Sequence, residues 1–418
     1  MLNLFKKIDY HQKCTYNEYN KNKEVPYMND FIFQNTTKVY FGKDQLCNLG
    51  QEIKSYGSRV LMAYGGGSIK RIGLYDRIMK ELEDAGITVL ELSGVEPNPR
   101  HTTVNRGAEI CRREKADAVL AVGGGSTIDC CKAIAAACFY DGDAWDLVKG
   151  KAAITNALPI FTIPTIASTG SEMDKSCVIS NTETEEKLGM ASNLLRPTAS
   201  FLDPVNTYSV SRFQTACGGF DIMSHFFDLN YFVNTEKYDL QDGVIESILR
   251  TVVKNLPTAL KEPDNYQARA SLMWAASWAL NSFCTSGIRM AASCHSMEHE
   301  LSACYDLTHG LGLAILTPRW MEFLLKQDKT VAADFAKFGV NVMGCAPDMD
   351  VEKGAAAAIE ALKTFIRDDL GLPVTLTEAG IDDSRFAEMA QNACRGKTIN
   401  GYRVLNPGDV ETIYRMCL

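Results

Sequence analysis

Short apolar, β-branched runs alternate with helical spacing through the first half of the chain. Residues 60–63 precede an amphipathic stretch at 75–85, residues 88–92 precede 104–114, and residues 118–122 precede 127–138. A short continuous apolar run suits a strand covered on both faces, and the 3.6-residue period after it suits a crossover helix, so this rhythm predicts βαβ units and a parallel sheet. Val39, Tyr40 and Phe41 add strand character near the start, and residues 160–163 add a further strand. After Phe201-Leu-Asp-Pro204 the strand signals stop, and from about residue 213 to the end nearly every segment is helical in period. Examples are 243–256, 267–283 and 351–369, each closed or followed within a few residues by Pro or Gly. The expected organisation is a polar appendage at 1–27, an α/β domain at 28–207 and an all-helical domain at 208–418.

Composition narrows the possibilities. The 418 residues, 46% of them hydrophobic, can bury large cores without staples. Lys plus Arg is 43 against 51 for Asp plus Glu, a net charge of −8, which leaves no basic surplus for a nucleic-acid backbone. Fourteen cysteines occur without any C-x-x-C pair, which excludes paired-cysteine zinc modules and reads as a reduced, cytoplasmic protein. No apolar run reaches the roughly 18 residues of a membrane span, and the N-terminus lacks the apolar centre of a signal peptide.

Two strands are each followed by Gly-Gly-Gly-Ser and then a helix: Gly65-Gly66-Gly67-Ser68 and Gly123-Gly124-Gly125-Ser126. Glycine brings the backbone close to a ligand, and the helix start offers free amides and a positive dipole end to phosphate. One such turn is weak evidence, since neither matches G-x-G-x-x-G. Two in one sheet, with the hydroxyl-rich Pro164-Thr-Ile-Ala-Ser-Thr-Gly-Ser-Glu172 after a third strand, point to a dinucleotide across the strand ends. Gly66, Gly67 and Ser68 bring no carboxylate to the adenosine ribose, and Lys70 and Arg71 follow them, so NADP(H) is favoured over NAD(H).

Four of the six histidines fall between positions 225 and 309. Asp221 and His225, four apart, share one helix face as a pair of ligands for a divalent metal, and Asp228 on the same face is placed to orient His225. His295 and His299 repeat the spacing, and His309 stands before Gly310 at a helix start. Each i,i+4 pair alone is most often an ordinary surface or interhelical contact; their joint occurrence in so histidine-poor a chain indicates a metal site of one carboxylate and up to four imidazoles. No Glu follows His295, which removes the zincin base, and Ser224 and Ser296 lack a G-x-S-x-G elbow. Cys294 and Cys304 read as packing residues. His11 and His101 receive no role.

The chain resembles the iron-containing (group III) alcohol dehydrogenases, in the butanol dehydrogenase and broad aldehyde reductase branch. The likeness runs from about Met28 to Leu418. It rests on Tyr64-GGGSIKRIGLYDRI, Gly94-Val-Glu-Pro-Asn-Pro99, Ala121-VGGGSTIDCCKAIA, Pro164-TIASTGSE, Phe201-LDP, Asp221-IMSH225 and His295-SMEHELSACYDLTHG310. It implies a Rossmann-like α/β domain plus an all-α metal-binding domain in a dehydroquinate synthase-like fold. It also implies a divalent metal, Fe(II) or Zn(II), on Asp221, His225, His295 and His309, with His299 left to face substrate and nicotinamide. Gly124, Gly125 and Ser126 would hold the pyrophosphate, Asp129 would approach the nicotinamide ribose, and Thr165 and Thr169 would line the adenosine side. Members commonly form dimers or larger assemblies. Thr308 stands where many members carry Pro, and Asp228 where many carry Glu.

The reaction expected from this resemblance is hydride transfer between nicotinamide and a small aldehyde, with the metal polarising the carbonyl and the proton supplied through His299 or a cofactor ribose hydroxyl and water. Phe226, Phe227, Phe232 and Tyr305 near the histidines suggest a short aliphatic substrate. Two rivals remain at this point: a lyase or synthase of the dehydroquinate synthase kind, and a non-enzymic metal- or nucleotide-binding scaffold. The first needs basic residues around a phosphorylated substrate, and the segments around the proposed ligands contain no Lys or Arg.

Overall fold

The structure is a computed structural model that describes residues 29–233, 238–288 and 291–418. The expected appendage at 1–27, with His11, lies outside the described residues. Among the described residues there are eight strands: β1 (Lys38–Phe41), β2 (Arg59–Tyr64), β3 (Thr88–Ser93), β4 (Ala118–Gly123), β5 (Ile160–Pro164), β6 (Ser176–Asn181), β7 (Glu186–Ala191) and β8 (Ala199–Leu202). Six of them form one parallel sheet in the order β1-β8-β5-β4-β2-β3, and β6 and β7 pair as a separate antiparallel hairpin.

The apolar runs are continuous because both faces of the sheet are covered. Along β2, Val60, Met62 and Tyr64 join Ile78 and Leu82 of α1 (Leu74–Asp84) on one side. Leu61 and Ala63, pointing the other way, join Val104 and Ala108 of α2 (His101–Glu114) and Ile128 and Ile134 of α3 (Gly125–Ala137). After β2 the chain moves outward to β3, and it then returns to the other side of β2 with β4, β5 and β8. The reversal falls between β2 and β4, so the two Gly-rich turns flank the switch point where open α/β sheets bind ligands.

From Arg212 onward the described structure is helical, around a third core. Its centre is α4 (Arg212–Phe226), followed by α5 (Asp239–Lys261), α6 (Tyr266–Ala279), α7 (Ser293–Tyr305), α8 (His309–Gln327) and α9 (Val351–Thr364). The predicted stop at Pro257 does not occur, and α5 runs through it. Leu256, Ala259 and Leu260 are buried in the core on either side of the proline, and that packing offsets the roughly 3 kcal/mol an interior proline costs. The segment predicted as one helix over 351–369 is α9 continued by a π turn at Phe365–Asp369. The hairpin β6–β7 was not anticipated, because its sequence lacks both the continuous apolar run of the sheet strands and a strict alternation.

Two close approaches bring other elements onto α4. A Cβ at Gly218 would lie 2.7 Å from the Ala167 carbonyl oxygen, and one at Gly310 would overlap the Cys217 carbonyl. Without those side chains, the loop after β5 and the start of α8 both reach the turn of α4 just before Asp221. Gly310→Ala should therefore destabilise the protein by about 1–3 kcal/mol, as overpacking does, read as a lower urea midpoint; an unchanged midpoint would mean that the two helices have room to separate.

Candidate metal centre and nucleotide crest

Asp221 sits in the middle of α4, buried, with the loop after β5 on one side and α7 and α8 on the other. Its Oδ2 accepts a hydrogen bond from Ser168 Oγ at 2.6 Å. Its Oδ1 is buried without a hydrogen-bond partner among the described residues, 3.5 Å from His225 Nδ1 and 3.7 Å from His309 Nε2. His225 follows one turn along α4, and His295 enters from the first turn of α7, its ring centroid 4.8 Å from that of His225. Donor atoms of Asp221, His225 and His295 all lie within 4.8 Å of one another.

Each of the three rings is held through Nδ1. His225 Nδ1 is 2.8 Å from the Asp221 backbone carbonyl, His295 Nδ1 is 2.9 Å from Asp228 Oδ2, and His309 Nδ1 contacts Glu298 Oε2. An acceptor at Nδ1 places the proton there and leaves the Nε2 lone pair for a metal. The His295 Nε2 is buried and has no partner among the described residues. An orphan carboxylate oxygen beside an orphan imidazole nitrogen costs about 1–3 kcal/mol for each group unless something satisfies both. One divalent cation does so, and the donor set of one carboxylate and imidazole nitrogens suits first-row metals.

The electrostatics agree with that donor set. Burial works against charge on Asp221, but the rings of His225 and His309 and the Ser168 hydroxyl outweigh it and hold the carboxyl below its usual range. Burial pushes His225 down, and burial reinforced by the charge of Lys187 pushes His299 and His309 well down. For His295 the burial penalty is overcome by the Asp228 carboxylate, which draws it up. His299 is half-buried, with its ring centroid 5.8 Å from that of His309.

Asp228 does not orient His225 as its spacing predicted. Past Phe226 the helix widens into a π turn at Phe227–Tyr231, and Asp228 turns to the head of α7. There it accepts from the amides of Cys294 (3.0 Å) and His295 (2.8 Å) as well as from the His295 ring. Phe226, Phe227 and Phe232 are wholly buried in the helical core and do not line a substrate space. His101 is buried on the sheet side, next to Trp145.

The Gly-rich turns lie together at the C-terminal ends of the adjacent strands β2 and β4. Gly67 is left-handed (φ 88°), and side chains at Gly66 or Gly67 would meet nothing, so this turn is open on its outer side. Ser68 heads a short helical turn. Lys70 lies over the rings of Tyr64 (5.3 Å) and Tyr75 (4.4 Å), whose hydroxyls both donate to Glu91 at 2.7 Å. At the second turn α3 begins at Gly125, so the amides of Gly125 and Ser126 head that helix. Thr169 packs against Gly125, and the Thr165 amide bonds the Gly123 carbonyl at 3.0 Å. Asp129 faces inward, accepting from Ser171 Oγ (2.6 Å) and the Val178 amide (2.9 Å).

Comparison with known proteins now decides the family. Residues 36–204 match the family described as iron-containing alcohol dehydrogenase, and residues 215–418 match the C-terminal part of the Fe-containing alcohol dehydrogenase family. This chain belongs to the iron-containing alcohol dehydrogenases. It is 50% identical to NADH-dependent butanol dehydrogenase A of Clostridium acetobutylicum, over 93% of this chain and 99% of that one. It is 37% identical to the NADPH-dependent aldehyde reductase YqhD of Escherichia coli, over 85% and 91%. The crystal structure of NADH-dependent butanol dehydrogenase A from Thermotoga maritima superposes with a TM-score of 0.88 at 37% identity, covering 93% of this chain and 99% of that one.

As a member of this family the chain is a metal- and nicotinamide-dependent oxidoreductase of the alcohol dehydrogenase and aldehyde reductase type. The membership, and not the absence of basic residues, sets aside the synthase rival, because the structure does bring a lysine to the site. Lys187, from β7, is buried against Glu298 and His309. Sequence reasoning missed Lys187, Glu298 and the bond from Ser168. Ser168 lay within the hydroxyl-rich segment already singled out, and Glu298 lay between two noted histidines, but nothing local marked Lys187.

Asp228→Ala leaves two amides and an imidazole without their acceptor, and Ser168→Ala frees the Asp221 carboxylate. Each should weaken binding of Zn(II) about 10–100-fold, measured by competition with a chromogenic chelator; unchanged affinity in both would show that the cation does not sit at Asp221.

Proposed function

We propose that this chain interconverts short-chain aldehydes such as butanal with their alcohols, using NADP(H) in preference to NAD(H) and one divalent metal, Fe(II) or Zn(II). The proposed ligands are Asp221, His225, His295 and His309. The observation that carries the reading is the convergence of three imidazoles, each held by an acceptor at Nδ1, on a buried carboxylate oxygen that has no other partner. The name of the Clostridium relative supports butanal as the test substrate.

In this reading residues 28–207 hold the dinucleotide and residues 208–418 the metal. Gly124, Gly125 and Ser126 receive the pyrophosphate at the head of α3, and Thr165 and Thr169 line the adenosine side. Asp129 approaches the nicotinamide ribose from its place between Ser171 and Val178. Gly66, Gly67, Ser68 and Lys70 surround the adenosine ribose, where the Lys70 ammonium favours a 2′-phosphate. The NADH-dependent relatives favour a second reading, in which the exposed Glu91 carboxylate near Lys70 selects NADH.

When bound, the metal polarises the substrate oxygen and the nicotinamide donates or accepts the hydride. The protein's own part is to hold the donors and move the proton. Asp221, kept ionised by its neighbours, and the imidazoles of His225 and His309, kept neutral by burial, present the ligand charges that a divalent ion needs. His299, beside His309 and half-exposed, relays a proton: one ring nitrogen gives its proton to the oxygen of the product alcohol as the other takes one from solvent, and the direction reverses in oxidation.

The free thiols along the described chain support a reducing, cytoplasmic setting, and among the described residues no helix is long and apolar enough to cross a membrane. The reading includes a homodimer, supported by the exposed apolar run Phe31-Ile32-Phe33.

Three measurements test this reading. Oxidation of NADPH and NADH with butanal, with and without Fe(II) or Zn(II), should require added metal after chelation and show the higher kcat/KM with NADPH. Lys70→Ala should raise the KM for NADPH more than that for NADH, and an equal rise would remove Lys70 from phosphate recognition. His299→Ala should lower kcat by about 10²–10⁴-fold with metal content unchanged; loss of metal instead would make His299 a ligand.

A further inference from the structure

Lys187 has no part in the proposed reaction, yet it is buried next to the metal donors. Its side chain is 6% exposed, and its Nζ lies 3.3 Å from Glu298 Oε2, 3.0 Å from Ser302 Oγ and 3.4 Å from His309 Nδ1. Glu298 is wholly buried. It accepts from Ser302 through Oε1, and its Oε2 faces both Lys187 and His309.

Two groups therefore compete for one imidazole nitrogen. An ammonium has three donors and no acceptor, and a carboxylate only accepts. If Glu298 holds Nδ1, the ring proton is on Nδ1 and the Nε2 lone pair faces Asp221. If Lys187 donates to Nδ1, the neutral ring must carry its proton on Nε2, where it cannot bind a cation. The direction of a single hydrogen bond thus decides whether His309 is a ligand.

A bland reading also exists. Donor atoms of Glu298, His299 and His309 lie within 4.8 Å of one another, which could mark a second cation site. The ammonium of Lys187 already occupies the cation position at Glu298 Oε2, so charge is balanced there without a metal.

We infer that Glu298 and Lys187 are positioning residues that set the tautomer of His309: the carboxylate engages the ammonium and so keeps it off Nδ1, which leaves Nε2 free toward Asp221. The inference rests on His309 being a ligand, as in the proposed function. It extends control of the metal centre to the hairpin β6–β7, which lies outside the metal-binding helices.

The test is Zn(II) affinity by chelator competition, with the visible ligand-field band of the Co(II)-loaded protein as a second readout. Glu298→Gln removes the charge that engages Lys187 and should weaken Zn(II) about 10–100-fold and reduce the Co(II) band. Adding Lys187→Met to that variant removes the competing donor and should restore affinity to within about threefold of wild type, since a glutamine carbonyl still accepts from Nδ1–H. A purely structural ion pair predicts no such recovery. Wild-type affinity in Glu298→Gln, or a double variant no tighter than the single one, overturns the inference. Should Glu298→Gln not fold, Lys187→Met and the double variant decide, because the inference requires them to agree within threefold. His309→Ala separates the two readings: an unchanged Co(II) band would refute His309 as a ligand and with it the proposed ligand set. Two Zn(II) ions per chain would favour the second cation site instead.

Discussion

The site depends on a carboxylate held in the middle of a helix that is covered on every side. From Thr215 to Phe226 each residue of α4 is buried, so Asp221 has no access to bulk water and must find its partners within the protein. Such a group is tolerated only when hydrogen-bonded or paired. Ser168 satisfies one oxygen, and the other points to where His225, His295 and His309 converge. Imidazoles from three separate helices stand around that oxygen.

Glycine at two places on this crossing makes the convergence possible. The start of α8 can reach α4 only because Gly310 has no side chain, and the loop after β5 can reach it only because Gly218 has none. Those two approaches bring His309 and Ser168 within range of Asp221. The loop that supplies Ser168 also supplies Thr169, packed on Gly125 at the head of α3. A short path therefore runs from the second Gly-rich turn to Asp221.

The groups around the rings matter as much as the rings. Asp228 and Glu298 are carboxylates that reach Nδ1 atoms of histidines, and the Asp221 carbonyl does the same for His225. The low-dielectric interior strengthens these bonds and makes unpaired charge costly. Lys187 offsets one of the carboxylates. Without it, the buried Glu298 carboxylate would lose its ammonium partner.

Much of this was legible along the chain. The alternation of strand and helix, the continuous apolar runs of β2, β4 and β5, the paired Gly-rich turns and the i,i+4 spacing of Asp221 and His225 are local patterns, and local patterns follow from backbone periodicity and side-chain size. So the parallel sheet, the helical second half and a cluster of candidate donors, Asp221, His225, His295, His299 and His309, were read from the order of amino acids, while the family resemblance set His299 apart from the others. What periodicity could not supply was the partner of each group. An α-helical count put Asp228 beside His225, whereas the π turn carries it to His295. Pro257 marked a helix end that core packing overrides. Of the aromatic residues near the histidines, Phe226, Phe227 and Phe232 fill the core, and Tyr305 packs against it partly buried. Lys187 stands 111 positions from Glu298 and 122 from His309, and only the fold brings it there. Which residues are candidates to bind was legible in the sequence; which atom of each is left without a hydrogen bond was decided by contacts between distant segments, because a hydrogen bond depends on distances that no local spacing encodes.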